Sequence, residues 1–499
     1  MERLETLMMR CVSLMAVALA LGLVGCGDAG PKRKNVILIT LDTVRADYVS
    51  AYGVRADITP NLDALAAEGT RFDMAISTAG VTPVSHASIL TGLNNQTHKL
   101  RVLSAPSGYT LPDSVPTLAT VLAKEGYRTV AVHSAFPVSR SFGFKRGFEV
   151  FEDLNTEMRT GADGQKQSWD VNSAQRRSDD TTDVVKRVLG DDEPYFLWIH
   201  YWDPHDWAMV PPEEHLPPRD VLFDAQGQIR RPAKELYAAE IKYQDQQIGR
   251  LMADLKARGL LDNTIVVVTA DHGQGLMEHD WAAHRLLYQE QVHVPLIVRV
   301  PGAKPQPVVR DLVRTTDVFP TILDYLGVQA PAQVDGRSLR ALMEGKADAK
   351  RIAFGDQING YDTNAGMTDK RPLDHWIYMA FDWPWKLIYR PAHPDQSELY
   401  NIESDPDEAL NAYSSESEVA LRLRQELARA HPWVPGPFAD AGSGHSEAAL
   451  AALQGLGYTA GQTVDESWSW TCPEHMEEDL GKPDGRCPKC KSPALMIKR

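Results

Sequence analysis

Asp42, Asp271 and His272 supply carboxylate and imidazole donors of the kind that bind a divalent cation, and the Thr82 hydroxyl could give an oxygen to the same ion. A threonine hydroxyl is almost never ionised near neutral pH and is a poor nucleophile. A divalent ion lowers the pKa of bound water from about 15.7 to about 7, and a coordinated alcohol responds in the same direction. Thr82 opens the stretch Thr82-Pro83-Val84-Ser85-His86, where Pro83 reads as the first helical residue and Thr82 as its N-cap. A helix N-terminus and a cation both favour a tetrahedral phosphoryl or sulfuryl oxyanion. His86, His205 and His284 are the candidates to hold the oxygens of such a group or to protonate the leaving oxygen. An ordinary capped helix with three locally bonded histidines is the alternative, and the elements carrying these residues weigh against it.

Val36 to Leu41 is a continuous apolar, β-branched run of the kind found in strands buried on both faces, and Asp42 follows it directly. Thr117 to Glu125 reads as a helix stopped by Gly126, with a strand over 127–133 behind it. Tyr195 to Tyr201 is another strand, running into Asp203-Pro204-His205. Ile248, Leu251, Met252 and Leu255 have helical spacing, and Gly259 ends that helix. Thr264 to Ala270 then delivers Asp271-His272-Gly273, and Val294 to Val300 is one more apolar strand. This alternation predicts an α/β fold, a mostly parallel sheet sandwiched by helices. Three strands discharge Asp or His at one edge, where such sheets place their ligands.

Beyond residue 350 the texture changes to aromatic strands over 376–381, 385–390 and 398–400, an acidic turn at 404–407 and a helix over 418–430. These predict a small C-terminal α+β subdomain. Residues 433–467, rich in Gly, Ala, Pro and Ser, read as a linker with a short helix at 447–453. The tail from Trp468 carries Cys472, His475, Cys487 and Cys490 as CxxH…CxxC, a strong four-ligand metal signature with zinc as first choice and copper second.

A net charge of −15 without any basic stripe excludes a nucleic-acid binder. Cys11 to Gly25 is apolar but too short to span a bilayer, and it ends at Cys26. No cysteine occurs between Cys26 and Cys472, so the main body has no disulfide and relies on its apolar core.

In order along the chain, Asn35 to Asp47, Ser85 to Gly92, Phe196 to His205, Thr269 to Gly273 and Leu287 to Pro295 resemble sulfatases of the alkaline phosphatase superfamily. Trp385 to Tyr389, Glu398 to Asn401 and Asp405-Pro406 resemble that family's C-terminal subdomain. The resemblance implies an alkaline phosphatase-like catalytic domain over 34–345, completed by the subdomain at 346–432. It implies Asp42, Asp271 and His272 as ligands of a divalent cation (Ca, Mn, Mg or Zn), His205 and His284 in the pocket, and Thr82 as nucleophile. Family members that use formylglycine carry Cys or Ser within Cys-x-Pro-x-Arg. Here the convertible residue is absent, proline comes one place early, His86 stands for arginine, and Thr43 replaces a second aspartate. Hydrated formylglycine expels sulfate by collapsing to an aldehyde, whereas an esterified threonine must be hydrolysed by water. The expected substrate is therefore a sulfated or phosphorylated ester, with phosphate or phosphonate ester chemistry favoured. A phosphotransferase acting on envelope glycans or lipids, or a non-catalytic metal-binding scaffold, are the alternatives.

Residues 1–25 resemble a bacterial lipoprotein signal, with translation starting at Met8 or Met9. That implies lipid on Cys26 and a body in the cell envelope, facing the periplasm or exterior. The tail resembles a heavy-metal-binding domain in which Glu474 and Lys491 replace the usual methionine and glycine.

Overall fold

The first strand, β1 (Asn35–Leu41), is buried at every position, as its run of apolar residues requires of a strand covered on both faces. The computed structural model describes residues 32–53, 55–100, 110–154, 175–205, 209–227, 230, 232–304, 306–358, 376–430, 468–476, 478–480, 485–492 and 494–498. The expected signal segment, Cys26 and the expected linker with its 447–453 helix lie outside these residues. Among the described residues, no helix is long and apolar enough to cross a membrane.

After β1 come β2 (Thr70–Ile76), β3 (Arg128–Val132), β4 (Val150–Glu152), β5 (Tyr195–Tyr201) and β6 (Thr264–Ala270). A two-residue hairpin, β7 (Gly275–Leu276) and β8 (Ala282–Ala283), precedes β9 (His293–Val294), β10 (Leu296–Arg299) and β11 (Val308–Arg314). Nine of these form one sheet in the order β11-β2-β10-β6-β1-β5-β3-β4, with β9 paired to β2. It is the α/β architecture the alternating pattern predicts, mostly parallel. The apolar strand expected over 294–300 divides at Pro295, and its main part, β10, runs antiparallel between β6 and β2. The helix expected around 248–255 begins earlier and spans Lys234–Ala257.

β2 and β11 were not evident from pattern. Arg71 and Asp73 interrupt one, Arg310 and Asp311 the other, because these strands lie at the sheet end where half their side chains reach solvent.

β12 (Ala353–Ile358), β13 (Trp376–Asp382), β14 (Trp385–Tyr389) and β15 (Glu398–Asn401) form a second, antiparallel sheet. Period-two alternation gives it two apolar faces. Trp376, Tyr378, Leu387 and Tyr389 pack on Ala420, Leu423 and Leu427 of the Ser417–Ala430 helix. Ile377, Met379, Phe381 and Ile388 pack on Ile76, Trp281 and Leu287 of the catalytic body. The subdomain is thus joined to the larger sheet through a shared apolar layer. The tail hairpin of β16 (Trp468–Thr471) and β17 (Leu495–Lys498) rests on the same helix, and Ala494 enters its apolar cluster.

An ion pair is sealed in that junction. Lys386 Nζ lies 2.7 Å from Glu408 Oε1 with both side chains fully buried, and Glu408 Oε2 accepts from Gln289 N at 2.6 Å. Burial pushes Lys386 down and Glu408 up, each opposed by the partner's charge. Lys386→Met leaves a buried carboxylate without its cation and is expected to cost about 3–5 kcal/mol in urea unfolding, part of which Lys386→Met/Glu408→Leu recovers.

Candidate active site

The cluster originates in strand register. Leu41 of β1 is level with Ala270 of β6 and with Tyr201 of β5. The next residues, Asp42 and Asp271, therefore emerge side by side at the C-terminal edge, and Asp42 N extends the ladder to Tyr201 O at 2.8 Å. Asp42, Asp271 and His272 bring one ligand atom each within 4.8 Å of the others, all fully buried.

Each side chain is held so that one donor atom stays open. Asp271 Oδ1 accepts from Thr43 N at 3.1 Å and His272 N at 2.7 Å, while its buried Oδ2 has no hydrogen-bond partner. His200 Nε2 donates to Asp42 Oδ2 at 3.1 Å, and Asp42 Oδ1 is likewise buried without one. His272 Nδ1 lies 2.9 Å from Gly273 O, a carbonyl that can only accept; the ring proton is therefore on Nδ1, and the Nε2 lone pair faces the cluster. Thr82 Oγ1 sits 3.2 Å from that Nε2. Burial, and then the Asp271 charge, push the Asp42 carboxyl well above its usual range. Two orphaned carboxylate oxygens, an imidazole lone pair and a hydroxyl fit a divalent cation of the Ca, Mn, Mg or Zn group.

Thr82 is the first residue of the Thr82–Thr91 helix, and Val81 occupies the N-cap position. This corrects the expected cap by one place: Val81 holds the cap position, and the Thr82 Oγ1 at the first helical residue is turned to His272. His86 also differs from expectation. Its Nδ1 bonds Thr82 O at 2.8 Å and its Nε2 meets Thr40 Oγ1 at 3.0 Å, and its ring is fully buried against His200 and Trp198. With both nitrogens turned to protein, His86 supports the helix start and Asp271, whose Oδ2 is 3.5 Å from its Nδ1.

His205 and His284 do converge, with their Nε2 atoms 3.2 Å apart. His284 Nδ1 donates to Gly80 O at 2.8 Å, which leaves the proton between the two rings on His205 Nε2 when both are neutral. His205 stacks on Trp202 at 3.7 Å, and Trp202 is anchored through Nε1 to Gln175 Oε1 at 2.7 Å. The His284 ring packs 4.6 Å from His272 and 5.2 Å from His205.

The sulfatase family model matches residues 34–328, and the model for the N-sulphoglucosamine sulphohydrolase C-terminal region matches 277–431. The chain belongs to the sulfatase family. It is 26% identical over 463 residues to an arylsulfatase of Clostridium perfringens, covering 77% of this chain and 91% of that one. An N-acetylglucosamine-6-O-sulfatase of Bacteroides thetaiotaomicron is 25% identical over 500 residues, covering 80% and 87%. The phosphonate monoester hydrolase of Silicibacter pomeroyi shares the fold with a TM-score of 0.61 at 24% identity, covering 80% of this chain and 95% of that one. As a sulfatase-family protein it is a hydrolase of sulfate or phosphate esters.

Within this sulfatase-family site, several contributors carried no sequence signal for the roles they take. His200 looked like one more residue in a buried strand, yet its register beside Thr40 brings it onto Asp42. Thr43 stands at φ 55°, rare for a β-branched residue. That turn sends its N–H to Asp271 and its hydroxyl to Asp42 O at 2.8 Å, so it serves as a donor to the ligands. Gly273 is required because a Cβ there would lie 2.2 Å from Glu290 O.

Far along the chain, Cys472, His475, Cys487 and Cys490 form a second cluster. Cys472 Sγ is 3.3 Å from Cys490 Sγ, and His475 Nδ1 is 3.5 Å from both Cys472 and Cys487 Sγ. A tetrahedral ion with bonds of about 2.0–2.3 Å spaces its ligands by about 3.3–3.8 Å, so these edges suit a closed four-ligand site. Asp271→Asn and Cys487→Ser are each expected to remove about one ion per chain, independently, by elemental analysis.

Proposed function

We propose that this protein is a metal-dependent hydrolase in which Thr82, in place of formylglycine, attacks a phosphate or phosphonate ester. The observation that carries the reading is the Thr82 hydroxyl lying 3.2 Å from the open face of His272, beside two unsatisfied carboxylate oxygens. When bound, a divalent cation supplies the charge that acidifies this hydroxyl and meets the substrate oxyanion. The residues divide the remaining work. His200 and the Thr43 N–H fix the two carboxylates, His86 steadies the helix start, and His205 Nε2 holds the proton for the leaving oxygen. Thr82 Oγ1 gives up its proton to solvent as it attacks, and the bond from phosphorus or sulfur to the leaving group breaks. The leaving oxygen takes the His205 Nε2 proton, which solvent restores, and water then hydrolyses the threonine ester. Hydrolysis of that adduct favours phosphorus over sulfur, because threonine has no aldehyde into which a sulfate ester can collapse.

The chemistry is placed at the cell envelope by a lipid on Cys26, and the tail cluster holds zinc, or failing that copper, as a structural ion. Cys26→Ser is expected to move the protein from the membrane to the soluble fraction, and retention at the membrane would exclude the anchor.

The decisive assay compares aryl phosphate, phosphodiester, phosphonate monoester and aryl sulfate. Phosphorus esters are expected to turn over fastest, and Thr82→Ala to reduce kcat/KM by about 10⁴-fold or more. Thr82→Ala at the wild-type rate would falsify the nucleophile, and a preference for aryl sulfate would reverse the substrate class.

A further inference from the structure

The loop that carries His284 is bent repeatedly against its own backbone preference. Met277, His279, Asp280, Ala283 and Arg285 all have positive φ, from 53° to 90°. Each such non-glycine residue costs on the order of 1–3 kcal/mol and persists where neighbours over-determine it. His279 is held by Glu290 Oε1 and Glu408 O, and two other side chains carry restraint toward the site.

Glu278 is the first. Its Oε2 accepts Leu276 N at 2.6 Å, closing the loop onto itself. Its Oε1 lies 3.2 Å from Arg45 Nη1 and 3.1 Å from Lys234 Nζ. Arg45 is gripped in turn by Asp47 through two bonds of 2.7–2.8 Å, and its Nη1 reaches Gln274 O at 3.3 Å. Arg45 lies three residues past Asp42 on the same exit from β1, so this ion pair ties the His284 loop to the segment presenting a metal ligand. Trp281 is the second restraint. It is 2% exposed, its backbone is bonded to Met277 and Glu278, and its Nε1 donates to His284 O at 2.9 Å. His284 Nδ1 is held separately by Gly80 O, beside the Thr82 helix.

We propose that Glu278 and Trp281 are positioning residues that register the His205–His284 pair against the Asp42/Asp271 cluster. This rests on reading that pair as the holder of the leaving-group proton. Neither side chain touches substrate in this assignment. Their effect is to keep His284 Nε2 within 3.2 Å of His205 Nε2 despite the strained loop. Small displacements of a positioned acid are costly because proton transfer needs hydrogen-bond reach.

The test uses the full-length metal-loaded protein and two near-isosteric changes, Trp281→Phe, which removes one N–H and keeps an apolar ring, and Glu278→Gln, which removes the charge and keeps the shape. Activated aryl phosphates leave without a proton, whereas alkyl phosphates need one. For each variant, kcat is expected to fall about tenfold or more on an alkyl ester and less than about threefold on 4-nitrophenyl phosphate, with metal content unchanged. A merely structural role would lower both rates together or leave both unchanged, and either result overturns the assignment. Hydrogen exchange gives a readout without turnover: protection should drop over 276–286 and hold over 264–272, and unchanged exchange over 276–286 also overturns it. A wild type inactive on every ester would defeat the proposed function, while the exchange result would still decide whether these side chains hold the loop.

Discussion

Two carboxylates forced together at adjacent strand ends are the constraint around which the molecule is arranged. The parallel pairing of β1 with β6 leaves Asp42 and Asp271 no other place to go. With ligand atoms inside 4.8 Å, their mutual repulsion is about 3–4 kcal/mol at an effective dielectric of about 20, before any cost of burial. Backbone N–H groups and His200 each neutralise one oxygen of a carboxylate and leave the other open. A divalent cation meets the charge that remains.

The backbone around the cluster follows from that constraint. Thr43 accepts a left-handed turn so that its N–H can face Asp271, and Tyr237 OH holds that turn by donating to Thr43 O. Gly273 allows the chain after His272 to pass against Glu290. The Thr82 helix is preceded by Val81, which gives it no side-chain cap, and the hydroxyl at its first residue is turned to His272. Local stability has been exchanged for geometry at each of these points, as expected of a working site.

The second sheet completes the site from a distance. Its inner face packs on Trp281 and Leu287, which flank His284, and Gln357 at the end of β12 accepts from Gly80 N at 3.1 Å. Gly80 is also the residue whose carbonyl orients His284. The C-terminal subdomain thereby braces both the loop before Thr82 and the loop of His284. The tail hairpin lies against the Ser417–Ala430 helix of that subdomain, and Cys472, His475, Cys487 and Cys490 come together in the same tail.

Sequence alone determined the features that depend on local pattern. Buried strands read as apolar runs, and Asp42, Asp271 and His272 were legible because they follow such runs directly. The spacing of Cys472, His475, Cys487 and Cys490 declared a cluster for the same reason, and ordered motifs declared the family. Tertiary structure decided what depends on register, direction and backbone turns. The antiparallel course of β10, the assignment of β2 and β11 to the half-exposed sheet end, and the contact of His200 with Asp42 all arise from pairings between distant segments. His86 showed the limit most clearly. Its place in the motif pointed toward substrate, but helix geometry turns one nitrogen back to Thr82 O and the other to Thr40 on β1. A motif specifies which residue stands at a position, while the direction its side chain takes is set by the surfaces that pack around it.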